Sequence, residues 1–348
     1  MESMKAVVFY GTEDMRFEIV PKPVPGPGEV CIRVKAVSIC GSDLEEYRKS
    51  SDRSMPPLIF GHEFSGDVCE LGEGVTKIQM GQRVTVNPIL YCGECFYCKK
   101  GLINLCNNRR SVGRTLGVKK VRCDGGMANY VCVPEFAVIP LVDAVTYNQG
   151  ALLEPLAVSY NATRCGGFEK GETVVVVGAG PIGLMIIQYL KAFGAGRIIV
   201  TDIVEERMSV GLQCGADTKV NVKENSVGKI LELTNGIGVD RVIIAAGVPS
   251  TVQDAIKMVR NGGNIVLVGL IRHNVEINPM DLAGRQITIH GSYMFTTEMK
   301  EAMEFIASGE IDIDPIVTSV RPLEDTPQVY QELISSNNKE IKVIITTD

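Results

Sequence analysis

The sequence has no apolar run long enough to cross a membrane and no strong excess of charge of either sign. Its longest nearly unbroken apolar run, residues 174–187, has 14 residues and is interrupted by three glycines and a proline. A membrane-spanning helix needs about 20 apolar residues, so this run is too short. The formal net charge of −6 gives no reason to expect nucleic acid or an anionic membrane as a partner.

The start of the chain also lacks the basic head and the apolar stretch of a signal peptide. Internal repeats and low-complexity tracts are absent as well. With 45% hydrophobic and 22% charged residues, the composition argues against disorder. At roughly 100–200 residues per domain, 348 residues suggest two domains, each with its own core. We therefore expect a soluble, cytoplasmic, two-domain protein.

The 11 cysteines are unevenly spread, and some of them form a cluster with regular spacing. Disulfides are rare in the cytoplasm, where clustered cysteines more often bind metal. The cluster has the spacing C-x2-C-x2-C-x7-C and consists of Cys92, Cys95, Cys98 and Cys106. Structural zinc takes four soft ligands in a tetrahedron, so this loop predicts a closed structural zinc site. The alternatives are four unlinked thiols or a disulfide.

The first part of the chain has the pattern of short β-strands separated by turns. The candidate strands are residues 5–10, 30–37, 63–70, 83–87 and 128–133. A connector rich in proline and glycine joins the first two, and it cannot continue a helix or a central strand. Short strands with turns between them predict a compact, barrel-like β domain.

The pattern changes near residue 157, where β-branched runs begin to alternate with helix-length stretches. These runs are residues 173–177, 197–201, 241–245 and 264–268. Strands that are apolar on both faces and alternate with helices predict a parallel sheet covered on both sides. The expected fold class is therefore α/β, with a doubly wound parallel sheet domain beside the β-rich domain.

A G-x-G-x-x-G motif follows the first of these runs directly and opens a helix-length stretch. Its glycines are Gly178, Gly180 and Gly183. They would permit a tight turn, let the backbone approach a pyrophosphate, and let the helix pack on the strand. The second run ends in Asp202, where a carboxylate would accept hydrogen bonds from a ribose and repel a 2′-phosphate. The pattern predicts NAD rather than NADP, although Arg207 favours NADP.

A second candidate metal site combines residues from three distant segments. Its candidate residues are Cys40, Ser42, His62, Glu63 and Glu154. A catalytic zinc takes about three protein ligands and keeps one position open. Taken singly, each residue has an ordinary explanation as a core cysteine, a packing histidine or a helix cap. The four-cysteine loop and the glycine motif in the same chain favour the metal site.

Together these motifs resemble those of the medium-chain, zinc-dependent alcohol dehydrogenase family, in the branch of sorbitol, galactitol-phosphate and butanediol dehydrogenases. The resemblance covers nearly the full length and depends on G-H-E-x2-G-x5-G-x2-V at residues 61–75, the four-cysteine loop, and the glycine motif with its acid. It implies a GroES-like catalytic domain with a structural zinc lobe at residues 1–157. A Rossmann NAD-binding domain at 158–289 and a return to the catalytic domain at 290–348 would follow.

The resemblance also implies roles for individual residues by their matching positions. Cys40, His62 and Glu154 are implied as ligands of a catalytic zinc. Glu63 is implied as an acid beside the metal that can exchange with water, and Ser42 as the hydroxyl that relays the substrate proton. The implied nucleotide contacts are Gly178, Gly180, Pro181, Ile182, Gly183, Asp202, Arg207, Val268, Gly269, Leu270, Tyr293, Met294 and Phe295.

The activity implied by the resemblance is oxidation of a secondary hydroxyl of a polyol, sugar alcohol or sugar-alcohol phosphate to a ketone, with NAD as hydride acceptor. The enzyme would hold two zinc ions per chain, one catalytic and one structural, and would form a homodimer or homotetramer. The same machinery could act on 2,3-butanediol, L-threonine or a simple secondary alcohol. A non-catalytic NAD-binding protein scaffolded by zinc is an alternative of another class.

Two features bear on the substrate. The family's substrate-binding tyrosine, six residues after the zinc cysteine, is replaced by Glu46, with Tyr47 beside it, and we treat both as candidate substrate contacts. Residues 109–122 carry six cations and no anion. We hypothesise that Arg109 and Arg110 bind an anionic substrate, because arginine suits bidentate contact with phosphate or carboxylate. The alternative is a solvated loop or a subunit contact.

Overall fold

The computed structural model describes residues 2–117, 119–335 and 338–347. Its first strands are β1 (Ser3–Gly11), β2 (Asp14–Pro21), β3 (Glu29–Ser38), β4 (Leu58–Ile59), β5 (Phe64–Leu71), β6 (Arg83–Val86), β7 (Ile89–Leu90), β8 (Arg110–Ser111), β9 (Arg114–Leu116) and β10 (Val121–Cys123). The later strands are β11 (Tyr130–Pro134), β12 (Val138–Pro140), β13 (Thr173–Val177), β14 (Arg197–Asp202), β15 (Thr218–Asn221), β16 (Val239–Ile244), β17 (Val259–Leu267), β18 (Thr288–Gly291), β19 (Val317–Pro322) and β20 (Lys342–Thr346). The helices are α1 (Gly41–Arg48), α2 (Phe96–Lys99), α3 (Tyr147–Ala151), α4 (Leu153–Arg164), α5 (Pro181–Ala192), α6 (Glu205–Gln213), α7 (Ser226–Leu233), α8 (Ser250–Met258), α9 (Pro279–Ala283), α10 (Met299–Ser308) and α11 (Thr326–Ile334).

The chain divides into two compact units. The first takes in the chain up to Glu154, residues 299–307 and the chain from Val317 onward, and the second takes in residues 155–298 and 308–316. The boundary expected at residue 157 therefore lies three residues earlier. The boundary expected at 289/290 falls inside β18, which pairs with β17 and therefore belongs to the second unit. This stretch of the second unit continues through residue 298.

The first unit is built around β3, which lies at the centre of a seven-stranded sheet. The sheet has the order β12-β6-β5-β3-β20-β19, and β11 also pairs with β3. In the antiparallel β3–β5 pair, Val37 lies opposite Phe64, and in the β3–β20 pair, Ser38 lies opposite Ile344. These registers bring the segments just after β3, just before β5 and at the start of β20 to one end of the sheet. The predicted β-rich domain is thus present.

The second unit contains a six-stranded sheet whose strand pairs are all parallel. Its order, β15-β14-β13-β16-β17-β18, is that of a doubly wound Rossmann sheet, 3-2-1-4-5-6. The central strand β13 has the sequence TVVVV, and its valines are buried because helices cover both faces of such a sheet. The predicted α/β fold class is confirmed.

Within the described residues, none of the helices has the length and apolar character that a membrane crossing requires.

Candidate active site and metal centres

Four cysteine sulfurs converge in the loop between β7 and β8. The sulfurs of Cys92, Cys95, Cys98 and Cys106 all lie within 4.8 Å of one another. The Sγ–Sγ distance is 3.5 Å between Cys95 and Cys98 and 4.0 Å between Cys92 and Cys98. A tetrahedral zinc with 2.3 Å bonds to sulfur would separate its sulfurs by about 3.8 Å. The donor set and its spacing therefore fit zinc, whereas a disulfide needs about 2.05 Å between sulfurs.

Backbone geometry closes this loop around the sulfurs. Gly93 and Gly101 each have a φ of +77°, a conformation that favours glycine. Backbone N–H groups of Cys98 and Asn107 lower the pKa of the Cys95 thiol to about 6. A thiolate is the form that binds zinc, so these amides favour metal binding by Cys95.

A second cluster lies at the end of the seven-stranded sheet where β3, β5 and β20 meet. Candidate ligand atoms of Cys40, His62 and Glu63 lie within 4.8 Å of one another. Cys40 caps helix α1, and His62 and Glu63 directly precede β5. The chain turns into β5 at Gly61, whose φ is +97° and where a Cβ would lie 2.8 Å from a methyl group of Val37. A glycine at this position therefore allows β3 and β5 to bring the cluster together.

A buried aspartate lies beside the histidine of this cluster. Oδ1 of Asp43 lies 3.4 Å from Nδ1 of His62 and 2.5 Å from Nη1 of Arg114. Burial alone would raise the pKa of Asp43, but the charges of Arg114 and His62 hold it below its usual value. A carboxylate at one ring nitrogen fixes the ring and leaves the other nitrogen for a metal.

The two glutamates of the predicted site have different surroundings. Glu63 is buried, and its Oε2 accepts hydrogen bonds from Ser38 Oγ and from Lys342 Nζ, the latter at 2.5 Å. Glu154, the second residue of α4, is also buried but does not belong to the three-residue cluster. Burial raises the pKa of Glu154 to about 7. Glu63 thus has a cationic partner within the protein, and Glu154 is a buried carboxyl group beside the cluster.

Ser42 contacts both the cluster and the arginine beside it. Its Oγ donates to Sγ of Cys40 at 3.3 Å and accepts from Nη2 of Arg114 at 2.8 Å. Ser42 is half-buried in the first turn of α1. The structure therefore places the predicted proton-relay hydroxyl next to a predicted metal ligand.

The glycine motif forms the turn from β13 into α5. Gly178 has a φ of +102°, and a Cβ on Gly183 would lie 1.9 Å from the carbonyl oxygen of Gly178. Gly180 caps α5, and a Cβ there would enter open space, so the helix N-terminus is accessible to a ligand. Oδ2 of Asp202 accepts from the backbone N–H of Ala179 at 2.7 Å, which holds the carboxylate at this turn. This cradle fits a dinucleotide.

The remaining predicted nucleotide contacts also lie in the second unit. These residues are Pro181 and Ile182 at the start of α5, Arg207 in α6, Val268, Gly269 and Leu270 after β17, and Tyr293, Met294 and Phe295 after β18. A Cβ on Gly269 would lie 2.3 Å from the carbonyl oxygen of Ala246, so this turn requires a glycine. Met294 has a φ of +53° and Phe295 is completely buried. Nucleotide binding by these residues stays a prediction.

The predicted substrate contacts lie against other parts of the protein. Glu46 accepts hydrogen bonds from Ser51, and the Tyr47 hydroxyl donates to the carbonyl oxygen of Glu13. Arg109 Nη1 donates to the Asn104 carbonyl oxygen at 2.5 Å. Arg110 lines a cavity of about 460 Å³ in the first unit, together with Arg122 and Asp124. Contact of the four predicted residues, Glu46, Tyr47, Arg109 and Arg110, with substrate stays a prediction.

Sequence reasoning did not assign roles to three residues that the structure brings to the second cluster. Asp43 follows Ser42 directly, and Arg114 belongs to the cation-rich segment, so each had a local signal. Lys342 opens β20 as a single cation before an apolar strand, and it is only 3% exposed. A buried cation needs an opposite charge, which Glu63 supplies, but nothing local in the sequence around Lys342 signals this contact.

Comparisons with known proteins agree with this architecture. The chain matches the alcohol dehydrogenase GroES-like domain over residues 26–143 and the zinc-binding dehydrogenase domain over residues 181–308. It is 34% identical to sorbitol dehydrogenase of Bacillus subtilis (strain 168), covering 99% of this chain and 97% of that one. It is 33% identical to D-arabitol-phosphate dehydrogenase of Enterococcus avium, covering 97% and 95%.

A solved structure is similar over the same length. The structure of 2R,3R-butanediol dehydrogenase from Bacillus subtilis has a TM-score of 0.89 and 31% sequence identity, covering 99% of this chain and 100% of that one. The predicted resemblance is thus confirmed over almost the whole sequence. The chain belongs to the medium-chain, zinc-dependent alcohol dehydrogenase family.

Proposed function

We propose that this enzyme oxidises a secondary hydroxyl of a polyol, sugar alcohol or sugar-alcohol phosphate to a ketone, with NAD as hydride acceptor. It would hold one catalytic and one structural zinc. The observation that carries the proposal is the convergence of Cys40, His62 and Glu63, whose ligand atoms lie within 4.8 Å of one another. Thiolate, imidazole and carboxylate are donors that zinc accepts, and the same chain has a turn suited to a dinucleotide.

We further propose Glu154 as the third ligand of the catalytic zinc, with Cys40 and His62 as the other two. Glu63 already has a cationic partner in Lys342, whereas burial raises the pKa of Glu154 to about 7. A bound cation would stabilise the ionised form of Glu154. Glu63 would then be the acid beside the metal that can exchange with water.

The residues around the cluster have distinct tasks in this reaction. When bound, zinc would lower the pKa of the substrate hydroxyl and NAD would accept the hydride. Ser42 Oγ would take the proton from the substrate hydroxyl and pass its own proton to solvent. Asp43 would keep the His62 ring in the orientation that metal binding requires. Lys342 would keep the Glu63 carboxylate in place through its hydrogen bond.

Turnover of the purified holoenzyme tests this proposal. The panel contains polyols, polyol phosphates, 2,3-butanediol, L-threonine and a simple secondary alcohol, each with NAD and with NADP. We expect oxidation of a polyol or polyol phosphate with NAD, measured by the absorbance of reduced nicotinamide, together with two zinc ions per chain. Higher kcat/KM on butanediol or L-threonine would favour those alternatives. No turnover and a single bound zinc would contradict the proposal and favour a non-catalytic scaffold.

Asp202 provides the test of cofactor preference. An Asp202→Ser change would remove the carboxylate that we propose binds the adenosine ribose and repels a 2′-phosphate. Loss of one charge-assisted hydrogen bond costs about 1.5–3 kcal/mol, so we expect KM for NAD to rise about 10–100-fold and activity with NADP to increase. The control is Asp217→Asn, because Asp217 also accepts from a backbone N–H, that of Ile198 in β14. An unchanged NAD/NADP ratio in the Asp202 variant would contradict the assignment.

Variants of Arg109 and Arg110 test whether the substrate is an anion. The guanidinium of Arg114 already has Asp43 at 2.5 Å, so a substrate anion would need another cation. We propose Arg109 and Arg110 for this contact, as arginine forms bidentate contacts with phosphate. Replacing both with Ala should raise KM for a phosphorylated polyol far more than for its neutral parent, in steady-state assays. Equal effects on both substrates would remove the idea.

A further inference from the structure

Arg114 is the cation of the basic segment that enters the second cluster. It opens strand β9, and its side chain is only 5% exposed. Nη1 lies 2.5 Å from Oδ1 of Asp43 and donates to the carbonyl oxygen of Gly113 at 2.9 Å. Nη2 donates to Oγ of Ser42 at 2.8 Å. A cation is buried at such a place only when its charge and its donors have partners, and Asp43 supplies the opposite charge.

The contact with Ser42 determines where the serine proton can point. A guanidinium has five N–H donors and no acceptor, so Ser42 Oγ must be the acceptor in this hydrogen bond. The Ser42 hydroxyl proton is therefore directed away from Arg114, and Sγ of Cys40 is its acceptor at 3.3 Å. Arg114 thus leaves the proton of Ser42 on the side of the metal ligands.

The same guanidinium also acts on the histidine of the cluster. Asp43 is completely buried between Arg114 and His62, with 3.4 Å from its Oδ1 to Nδ1 of His62. Removing Arg114 would leave this carboxylate without its cationic partner and free to change its rotamer. One arginine therefore connects the proposed proton relay with the orientation of a proposed metal ligand.

We propose that Arg114 is a positioning residue for alcohol oxidation, which holds Ser42 Oγ beside the predicted metal ligand Cys40 and keeps Asp43 beside His62. This inference rests on the proposed function. In the proton step, the substrate O–H bond breaks, an O–H bond forms at Ser42 Oγ, and the original Ser42 proton passes to solvent. The positive charge of Arg114 stabilises negative charge on Ser42 Oγ during this exchange.

The contacts of Arg114 depend on the planar shape of its guanidinium group. Nη1 and Nη2 contact two different residues, Asp43 and Ser42, at the same time. Lysine would keep the charge but present a single ammonium on a flexible stem, so it cannot reproduce both contacts. Arg114→Lys therefore separates charge from geometry. Arg122→Lys is the matched control, because Arg122 lies in the paired strand β10 and binds Asp124 at 2.7 Å on the surface.

The first experiment measures turnover of the holoenzyme with the best alcohol of the panel. We expect Arg114→Lys to lower kcat by about 10–100-fold and to leave KM for NAD unchanged. A positioned proton-transfer group accelerates a reaction by about 10²–10⁴-fold, and the variant should lose a part of this acceleration. Ser42→Ala should remove most of this effect, so that the double variant Ser42→Ala/Arg114→Lys is only about twofold slower than Ser42→Ala alone. Fully multiplicative losses in the double variant would overturn the link to Ser42.

The second experiment measures release of zinc to a coloured chelator and needs no turnover. Loss of a residue that orients a metal-bound histidine typically costs about 10–100-fold in metal affinity. We expect Arg114→Lys to release one zinc about tenfold faster and the other at the wild-type rate. Arg122→Lys should release both at the wild-type rate. Equal release by Arg114→Lys and wild type would overturn the role toward His62.

The two experiments also separate this inference from the proposed function. If the wild-type enzyme oxidises no alcohol, the proposed function fails, and zinc release still reports on Arg114 and His62. Should Arg114→Lys not fold, Arg114→Ala is assayed with and without added guanidinium. At least a tenfold gain in kcat with guanidinium supports the inference, and no gain overturns it.

Discussion

The two candidate metal clusters of the first unit are assembled in different ways. The four-cysteine cluster comes from one loop, and the backbone N–H groups of that loop contact its sulfurs. The second cluster needs segments that precede β5, follow β3 and begin β20, and buried charged side chains surround it. A closed set of identical soft ligands suits a structural ion, whereas mixed ligands beside a hydroxyl and charged partners suit chemistry.

This difference indicates which property each cluster should control. The four-cysteine cluster is built from residues of one loop, so loss of its metal should unfold or loosen that loop. The second cluster is supported by the β3–β5 and β3–β20 pairs, which are held by hydrogen bonds between backbone groups. Loss of the metal from the second cluster should therefore lower turnover much more than it lowers the free energy of unfolding.

Cys40→Ser should have the largest effect. Loss of a thiolate ligand would remove the Lewis acid, and several kcal/mol of transition-state stabilisation corresponds to a fall in kcat/KM of about 10³-fold. We expect one zinc ion per chain to remain and Tm to change by only a few degrees. The control is Cys214→Ser, a buried cysteine of the second unit. Turnover at the wild-type rate with one zinc would contradict the assignment.

Cys106→Ser should have the opposite profile. One ligand of the closed site is lost, so we expect the structural zinc to dissociate and the free energy of unfolding of the first unit to fall by about 3 kcal/mol. The loop at residues 92–106 should become sensitive to limited proteolysis, whereas kcat of the folded enzyme should change less than tenfold. If turnover falls as far as in Cys40→Ser while the loop stays protected, the two clusters do not divide their roles in this way.

The smallest expected effect concerns pH and the metal-free protein. Glu154 has a pKa of about 7 in the folded state and an ordinary value of 4.5, so between these pH values the folded state binds the additional proton. Stability of the chelated protein should therefore fall as pH rises from 4.5 to 7.

Urea unfolding at both ends of this pH range checks the sign. Glu154→Gln should remove this part of the slope and be more stable than wild type above pH 7, because no buried carboxylate has to ionise. The matched control is Glu63→Gln, which removes a carboxylate that has Lys342 as its partner and should be destabilising. A Glu154 variant with the wild-type slope would contradict the proposed environment of this group.

The contrast between the clusters also explains which features of the fold and the site could be predicted from the sequence. The spacing of the cysteines and the glycine turn with Asp202 are local patterns, and the structure forms a cluster and a turn from them. The contacts of Arg114 and Lys342 are non-local, since Lys342 lies 279 residues from Glu63 in the chain. Such pairs depend on strand order and register, and no local pattern encodes the pairing of β20 with β3. The domain boundary near residue 290 could not be predicted for the same reason, because β18 belongs to the second unit through its pairing with β17.

The most direct test of the account is a crystal structure of the holoenzyme recorded at the zinc absorption edge. We expect two anomalous zinc peaks per chain, one of them among the four cysteine sulfurs. The other should lie about 2.3 Å from Sγ of Cys40 and about 2.1 Å from a ring nitrogen of His62, with a carboxylate oxygen of Glu154 about 2.1 Å away. A single peak at the cysteine loop, with no metal between Cys40 and His62, would contradict it.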